Sequence, residues 1–175
     1  NLDWYENVNS IFQKTGSGIW ATTYNTQSDY SRIYKYELGW IIQTEIAEVE
    51  LNAITVPEAG QARAGGGGTP ATGYIYTPSG PDWREETAIA QGIIESTWGT
   101  DAEHIWACGY QGTIFFYTGT SWTLETNIGN NRLLSIHGFS PYRVWAGGYS
   151  GEIYFGFAAS PTPTAIPSRT PSPTQ

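Results

Sequence analysis

Apolar and polar residues alternate along most of this chain in short runs, GIWATTY, RIYKY, TIFFY and EIYF among them, punctuated by Gly, Pro, Asn or Asp. A period of two places successive side chains on opposite faces of a strand, so the pattern predicts short β-strands joined by tight turns and no long helix. The pattern also repeats. Ile19-Trp20-Ala21, Ala62-Arg63-Ala64, Ile105-Trp106-Ala107 and Val144-Trp145-Ala146 align at intervals of 43, 43 and 39 residues, and nine residues before each central position stand Ile11, Ile54, Thr97 and Ile136. Each copy continues into an aromatic strand, around Tyr34, Ile75, Phe115 and Tyr154. A further tryptophan follows in the first three copies, where Trp40, Trp83 and Trp122 each have Gln or Glu three residues later and Thr four later.

Four strand-like segments per unit of roughly 40 residues, with Trp and Gly at fixed places, are the marks of a β-propeller blade. A twisted four-stranded sheet has two apolar faces and buries neither alone, so copies pack face to face around an axis. The expected fold is all-β: a four-bladed β-propeller over residues 1–159, with blades at about 9–47, 51–90, 94–129 and 133–157, and an extended Pro/Thr-rich tail over 160–175. The fourth copy lacks its Trp-led strand, and NLDWYENV at residues 1–8 matches it, with Asp3-Trp4 in the place of Asp82-Trp83. This N-terminal strand is expected to close the last blade. Trp4, Trp20, Trp40, Trp83, Trp106, Trp122 and Trp145 fall on repeat positions and read as blade-structural, whereas Trp98 stands outside the register. The same spacing is compatible with strand exchange between neighbours or a ring of eight made by two chains.

The strings IWACGYQGTIFFYTGTSWTLET and VWAGGYSGEIYF carry a W-A-x-G-x-x-G-x-I hairpin followed by a short aromatic strand. They resemble the bacterial propeller repeats grouped as BNR-type and photosystem II assembly factor-like, most clearly over residues 94–157. Over residues 9–93 the likeness is weaker, since Arg63 replaces Trp and the second hairpin lengthens to GGGGTPATG. The resemblance implies a propeller scaffold and no single activity, because the fold hosts lectins, hydrolases and assembly factors alike. The S-x-D-x-G-x-x-W box of sialidase repeats has no match in SGPDW or TGTSW.

Composition then narrows the function classes. A formal charge of −8 with only eight scattered Lys and Arg repels phosphate backbones and anionic membrane surfaces, which excludes nucleic acid as a partner. No apolar run approaches the roughly 18 residues of a membrane helix. Cys108 lies in the apolar IWACG run and reads as core packing. A start at Asn-Leu-Asp without Met, and an end in SPTPTAIPSRTPSPTQ, predict secretion followed by maturation and an extracellular or cell-surface location.

Candidate chemistry is sparse. Gly65 to Gly68 is followed by no Lys-Ser/Thr and no helix, so it reads as a hairpin turn rather than a phosphate cradle. Glu86 and Glu125 are two carboxylates of the kind a glycosidase uses, but they occupy one repeat position, shared with Gln43, and read as structural. His104 and His137 fall at different repeat positions without partners at metal spacing, so no metal and no cofactor is expected. Arg63 reads as a long side chain packing its stem between blades of a degenerate repeat. No set of nucleophile, base and orienting group emerges, and no enzyme activity is expected.

The leading expectation is a non-enzymatic, secreted propeller that joins copies of itself into a filament or surface assembly. Its C-terminal tail would make the joint, with Pro161, Pro163, Ile166 and Pro167 as the contact segment and Tyr24, Tyr30, Tyr110 or Tyr149 as walls of the groove. The alternative is a carbohydrate-binding module on a Pro/Thr stalk, with Trp98 as the exposed stacking residue.

Overall fold

The structure, a computed structural model, describes residues 5–58, 61–69, 71–89 and 92–156. Trp4 and the tail residues Pro161, Pro163, Ile166 and Pro167 lie outside the described residues. The chain forms the expected all-β arrangement of four antiparallel sheets set as propeller blades. The first blade contains β1 (Glu6–Lys14), β2 (Gly18–Asn25), β3 (Tyr30–Tyr36) and β4 (Trp40–Ala47). The second contains β5 (Val49–Thr55), β6 (Arg63–Gly68), β7 (Thr72–Ser79) and β8 (Asp82–Ile89). The third contains β9 (Ile94–Asp101), β10 (His104–Gly109), β11 (Thr113–Tyr117) and β12 (Trp122–Asn127). The fourth has β13 (Leu133–Ser140), β14 (Arg143–Gly148) and β15 (Ile153–Gly156). Within every sheet the strands pair in chain order, as the hairpin spacing demands.

The repeat is geometric as well as chemical. In each blade the first strand carries an extra residue against the second at one repeat position, at Asn9, Asn52, Glu95 and Leu134, and the third and fourth blades carry another at Thr100 and Phe139. A second irregularity, between the third and fourth strands, falls at Gln43, Glu86 and Glu125. The Gln or Glu three residues after Trp is thus a bulge residue, the position where a strand bends and its twist increases. The first strands converge, with β5 packed against β1, β9 against β5 and β13 against β9.

Two local expectations are corrected. Glu6 to Val8 do not complete the fourth blade: they open β1 and pair with Thr23 to Asn25 of the first. Three donors hold Glu6 there. The Thr23 hydroxyl lies 2.8 Å from its Oε1, the Tyr34 hydroxyl 3.2 Å away, and the Arg32 guanidinium 3.4 Å from Oε2. Gly65 to Gly68 is not a hairpin turn but most of β6, a buried strand between first and third blades. A Cβ on Gly66 would lie 2.0 Å from the Glu50 carbonyl oxygen, and one on Gly65 would lie 2.6 Å from Ile94 Cγ2, so neighbouring backbone and side chain exclude any larger residue.

Candidate interaction surfaces

Each blade has a forward face, toward the next blade in the chain, and a rear face, toward the preceding one. Cross-strand pairing sets these faces. Ile33, Ile75, Ile114 and Ile153 stand opposite Thr22, Gly65, Cys108 and Gly147 and project forward. Ile11, Ile54, Thr97 and Ile136 stand opposite Ala21, Ala64, Ala107 and Ala146 and face the rear. At the interfaces forward and rear rows interdigitate. Ile114 and Trp106 of the third blade share a buried cluster with Leu133, Ile136 and Ala146 of the fourth, and Tyr154 packs against it. Ile33 and Trp20 of the first blade do the same with Leu51, Ile54 and Ala64 of the second.

Polar groups fix the register of these contacts. The Asn9 side-chain amide donates to the Leu51 carbonyl at 3.0 Å, and Asn52 donates to the Ile94 carbonyl at 3.0 Å, one blade further on. Next to them, the Ser10 hydroxyl accepts the Ile54 backbone N–H at 3.3 Å and Ser96 accepts that of Ile136 at 3.2 Å. Sequence reading missed these residues. The signal was a constant offset before the Ile of each repeat, hidden because Glu95 and Leu134 take the Asn place and Ala53 takes the Ser place. At Glu95 an ion pair with Arg132 substitutes, 2.8 Å long, and burial pushes the Glu95 carboxyl up against the pull of that guanidinium.

The two ends of the array differ from its interior. Ile11, on the rear of the first blade, is 63% exposed, whereas Ile54 and Ile136 in the same place are each 3% exposed. Beside it Val8, Ala21, Thr23, Tyr34 and Trp40 complete the walls of an apolar cavity of about 200 Å³. On the forward face of the fourth blade Ile153 is 78% exposed, against 0% for Ile33 and Ile75. Trp145 is 42% exposed there and stacks on Phe155 at 4.9 Å between centroids, while Trp106 at the same repeat position is 2% exposed.

The other sequence-selected residues scatter. Tyr24, Tyr30, Tyr110 and Tyr149 lie around the turns that join second and third strands, the first two in the first blade, Tyr110 in the third and Tyr149 in the fourth. The Tyr24 hydroxyl donates to Asp29 at 2.9 Å, and burial with that carboxylate pushes the phenol up. Tyr30 accepts from Asn25 Nδ2 at 3.1 Å, Tyr110 lies under the Arg132 guanidinium at 4.7 Å, and Tyr149 is exposed. Trp98 is not a free stacking surface: its ring lies 5.4 Å from His137, and a Cβ on Gly138 would touch it at 2.5 Å, so it packs between third and fourth blades. Trp20 and Trp83 meet edge to face at 6.0 Å under a cleft of about 420 Å³ between first and second blades, which Tyr36, Gln43, Pro81 and Asp82 also line. Trp122 donates its indole N–H to Glu86 at 3.0 Å.

Glu86, Arg63 and His104 are engaged in contacts within the propeller. Glu86 Oε2 also receives Arg63 Nε at 2.6 Å, and the Arg63 guanidinium covers the Tyr117 ring at 5.0 Å. His104 Nδ1 lies 2.7 Å from Asp101. Burial works to raise that carboxyl, but the Glu103 N–H, His104 and Thr100 outweigh it and hold Asp101 below the usual range. Burial pushes the Cys108 thiol far up, which leaves it protonated and inert. Among the described residues no three His, Cys, Asp or Glu groups gather as metal ligands.

No protein-family model matches the chain, and no curated protein matches it in sequence. Solved structures do. A YCF48 bound to D1 peptide superposes with a TM-score of 0.59 at 12% identity, over 86% of this chain and 51% of that one. YCF48 from Cyanidioschyzon merolae gives a TM-score of 0.58 at 13% identity, over 86% of this chain and 50% of that one. The chain thus spans about half the length of these structures, and at such identity the likeness is one of fold: this is a β-propeller chain similar in architecture to YCF48.

Proposed function

We propose that this chain is a non-enzymatic propeller subunit of an extracellular assembly and that it works by association. The observation that carries the reading is the contrast between ends and interior: Ile11 and Ile153 are open to solvent, whereas Ile54 and Ile136 at the first position and Ile33, Ile75 and Ile114 at the second are buried. Surfaces of that kind, rimmed by polar strands, mark contact with another protein. A solved structure of similar fold, a YCF48, is bound to D1 peptide, and an association role for this propeller is in keeping with that. Sedimentation of the full chain, beside a version ending at Ala159, tests the reading. Association of the full chain supports it, its loss on truncation adds a joint through the tail, and a monomer at every concentration contradicts it.

A second reading, carbohydrate binding, is favoured by the cleft between first and second blades, where Tyr36 and Trp83 offer aromatic walls beside Asp82 and Gln43. A glycan array run with the wild type and Trp83→Ala tests it. Signal that disappears in the variant supports the reading, and a blank array removes it.

A further inference from the structure

The assembly reading above leaves open which surfaces mate and how many copies meet; the two ends of the array answer both. Each internal interface is a knob in a hole. The knob is the forward-facing Ile of the third strand. Round Ile114 the hole is made by Leu133, Ile136, Ala146 and Tyr154. Round Ile33 it is made by Leu51, Ile54, Ala64 and Tyr76, with Trp83 at its edge. Translated through the repeat, these positions in the first blade are Val8, Ile11, Ala21, Tyr34 and Trp40, which are the walls of the apolar cavity of about 200 Å³. The first blade therefore presents an empty hole of the kind that receives a blade's isoleucine. The fourth presents Ile153, a knob 78% exposed.

The surroundings agree with that match. A Cβ on Gly65, beside the Ile75 knob, would meet the following blade, whereas one on Gly147, beside Ile153, would meet nothing within 4 Å. The serine that accepts an N–H from the following blade, Ser10 in the first and Ser96 in the third, has its counterpart in Ser135 of the fourth. The backbone N–H it would accept belongs to the residue equivalent to Ile54 and Ile136, and in the first blade that residue is Ile11.

We infer that a second copy of this chain covers both ends. The fourth blade of each copy packs on the first blade of the other, Ile153 enters the Val8, Ile11, Ala21, Tyr34 and Trp40 cavity, and Ser135 accepts from the Ile11 N–H. The contact continues the internal interfaces, so it repeats their rotation from blade to blade. Propellers hold about four to eight blades. Two copies of four blades close a ring at the upper end of that range, and a third copy would exceed it. Closure makes the contact twice, related by a two-fold axis along the channel. Neither copy then leaves without breaking both joints at once.

Two experiments on the full chain test this. Sedimentation velocity is run on wild type, Ile153→Asp and Val8→Asp, with circular dichroism as the folding control. Ile153 and Val8 are open to solvent in one chain, so both variants should keep the wild-type spectrum. The expected result is twice the mass of one chain for wild type and at least about a hundredfold weaker association in each variant, because an aspartate would be buried in an apolar hole. The double variant Ile153→Cys, Ile11→Cys is oxidised and run on a non-reducing gel. A closed ring gives a linked pair and nothing larger. A ladder of longer products overturns the closed ring, since it means open growth through the same faces. A cross-link within one chain overturns the second copy in favour of self-closure. Association that persists in Ile153→Asp, with no cross-link, overturns the mating surfaces while the assembly reading stands. A wild type that stays monomeric overturns both.

Discussion

Arg63 Nε sits 2.6 Å from Glu86 Oε2, at the place in the repeat where the first blade has Trp20 with Gln43. Arg63 is buried and Glu86 partly buried between second and third blades, and Trp122 adds its indole N–H to the same carboxylate oxygen. The ion pair puts a charged side chain where the first blade has tryptophan and leaves each charge dependent on the other. Removing one partner of such a pair strands the other, which costs about 3–5 kcal/mol. Arg63→Ala is therefore expected to destabilise by about 3 kcal/mol in urea denaturation. Arg63→Trp with Glu86→Gln restores the pattern of the first blade and should recover most of that loss. A double variant no more stable than Arg63→Ala would contradict this account of the position.

The bulge asparagines are expected to act as clamps between blades. Asn52→Ala removes the donor to the Ile94 carbonyl and should cost about 1 kcal/mol, the net worth of a partly buried hydrogen bond. Asn9→Ala should cost a similar amount through Leu51. Denaturation midpoints at unchanged slope check both.

Much of this architecture was legible in the chain. The Ile-Trp-Ala register and the Ile nine residues earlier marked four blades because propeller packing requires apolar rows at fixed places on both faces. Register within a sheet followed from alternation, since a slip of one residue turns every side chain to the other face. What was not legible depends on contacts between distant residues. Residues 1–8 resemble a Trp-led strand, yet Glu6 finds its donors in Thr23, Tyr34 and Arg32 of the first blade. Four consecutive glycines look like a turn until the Glu50 backbone and Ile94 fill the space above them. Trp98 looked free because its repeat position is occupied elsewhere by other residue types, and Gly138 made the room that holds it. The uncovered ends were invisible for the same reason: Ile11 and Ile54 read alike, and only neighbours distinguish them.

The glycine strand gives a sharp contrast. Gly66→Ala drives a Cβ against the Glu50 backbone and is expected to cost about 3 kcal/mol or more, or to prevent folding. Gly147→Ala, at a position with nothing within 4 Å, should change the stability of one chain by no more than about 0.5 kcal/mol. Thermal unfolding of the two variants at low concentration compares them.

Glu95 makes stability depend on pH in a definite direction. Burial, against the Arg132 pull, raises its folded-state pKa above the ordinary glutamate value. A raised carboxylate contributes stability that is fully present below its unfolded pKa and is lost as pH rises through the folded one. Arg132→Ala removes the compensating charge and raises the group further. Its cost should be largest at neutral pH, about 1 kcal/mol because the guanidinium is partly exposed, and should shrink toward zero below about pH 4. Melting curves of wild type and variant across this range check the sign, and an equal loss at both ends would contradict it.

The central claim, that the exposed Ile11 and Ile153 faces cover one another between copies, is tested most directly by electron microscopy of the purified full chain viewed down the channel. The expected class averages show eight blades around one axis with two-fold symmetry. Averages showing single four-bladed particles, with both end faces still open to solvent, would contradict it.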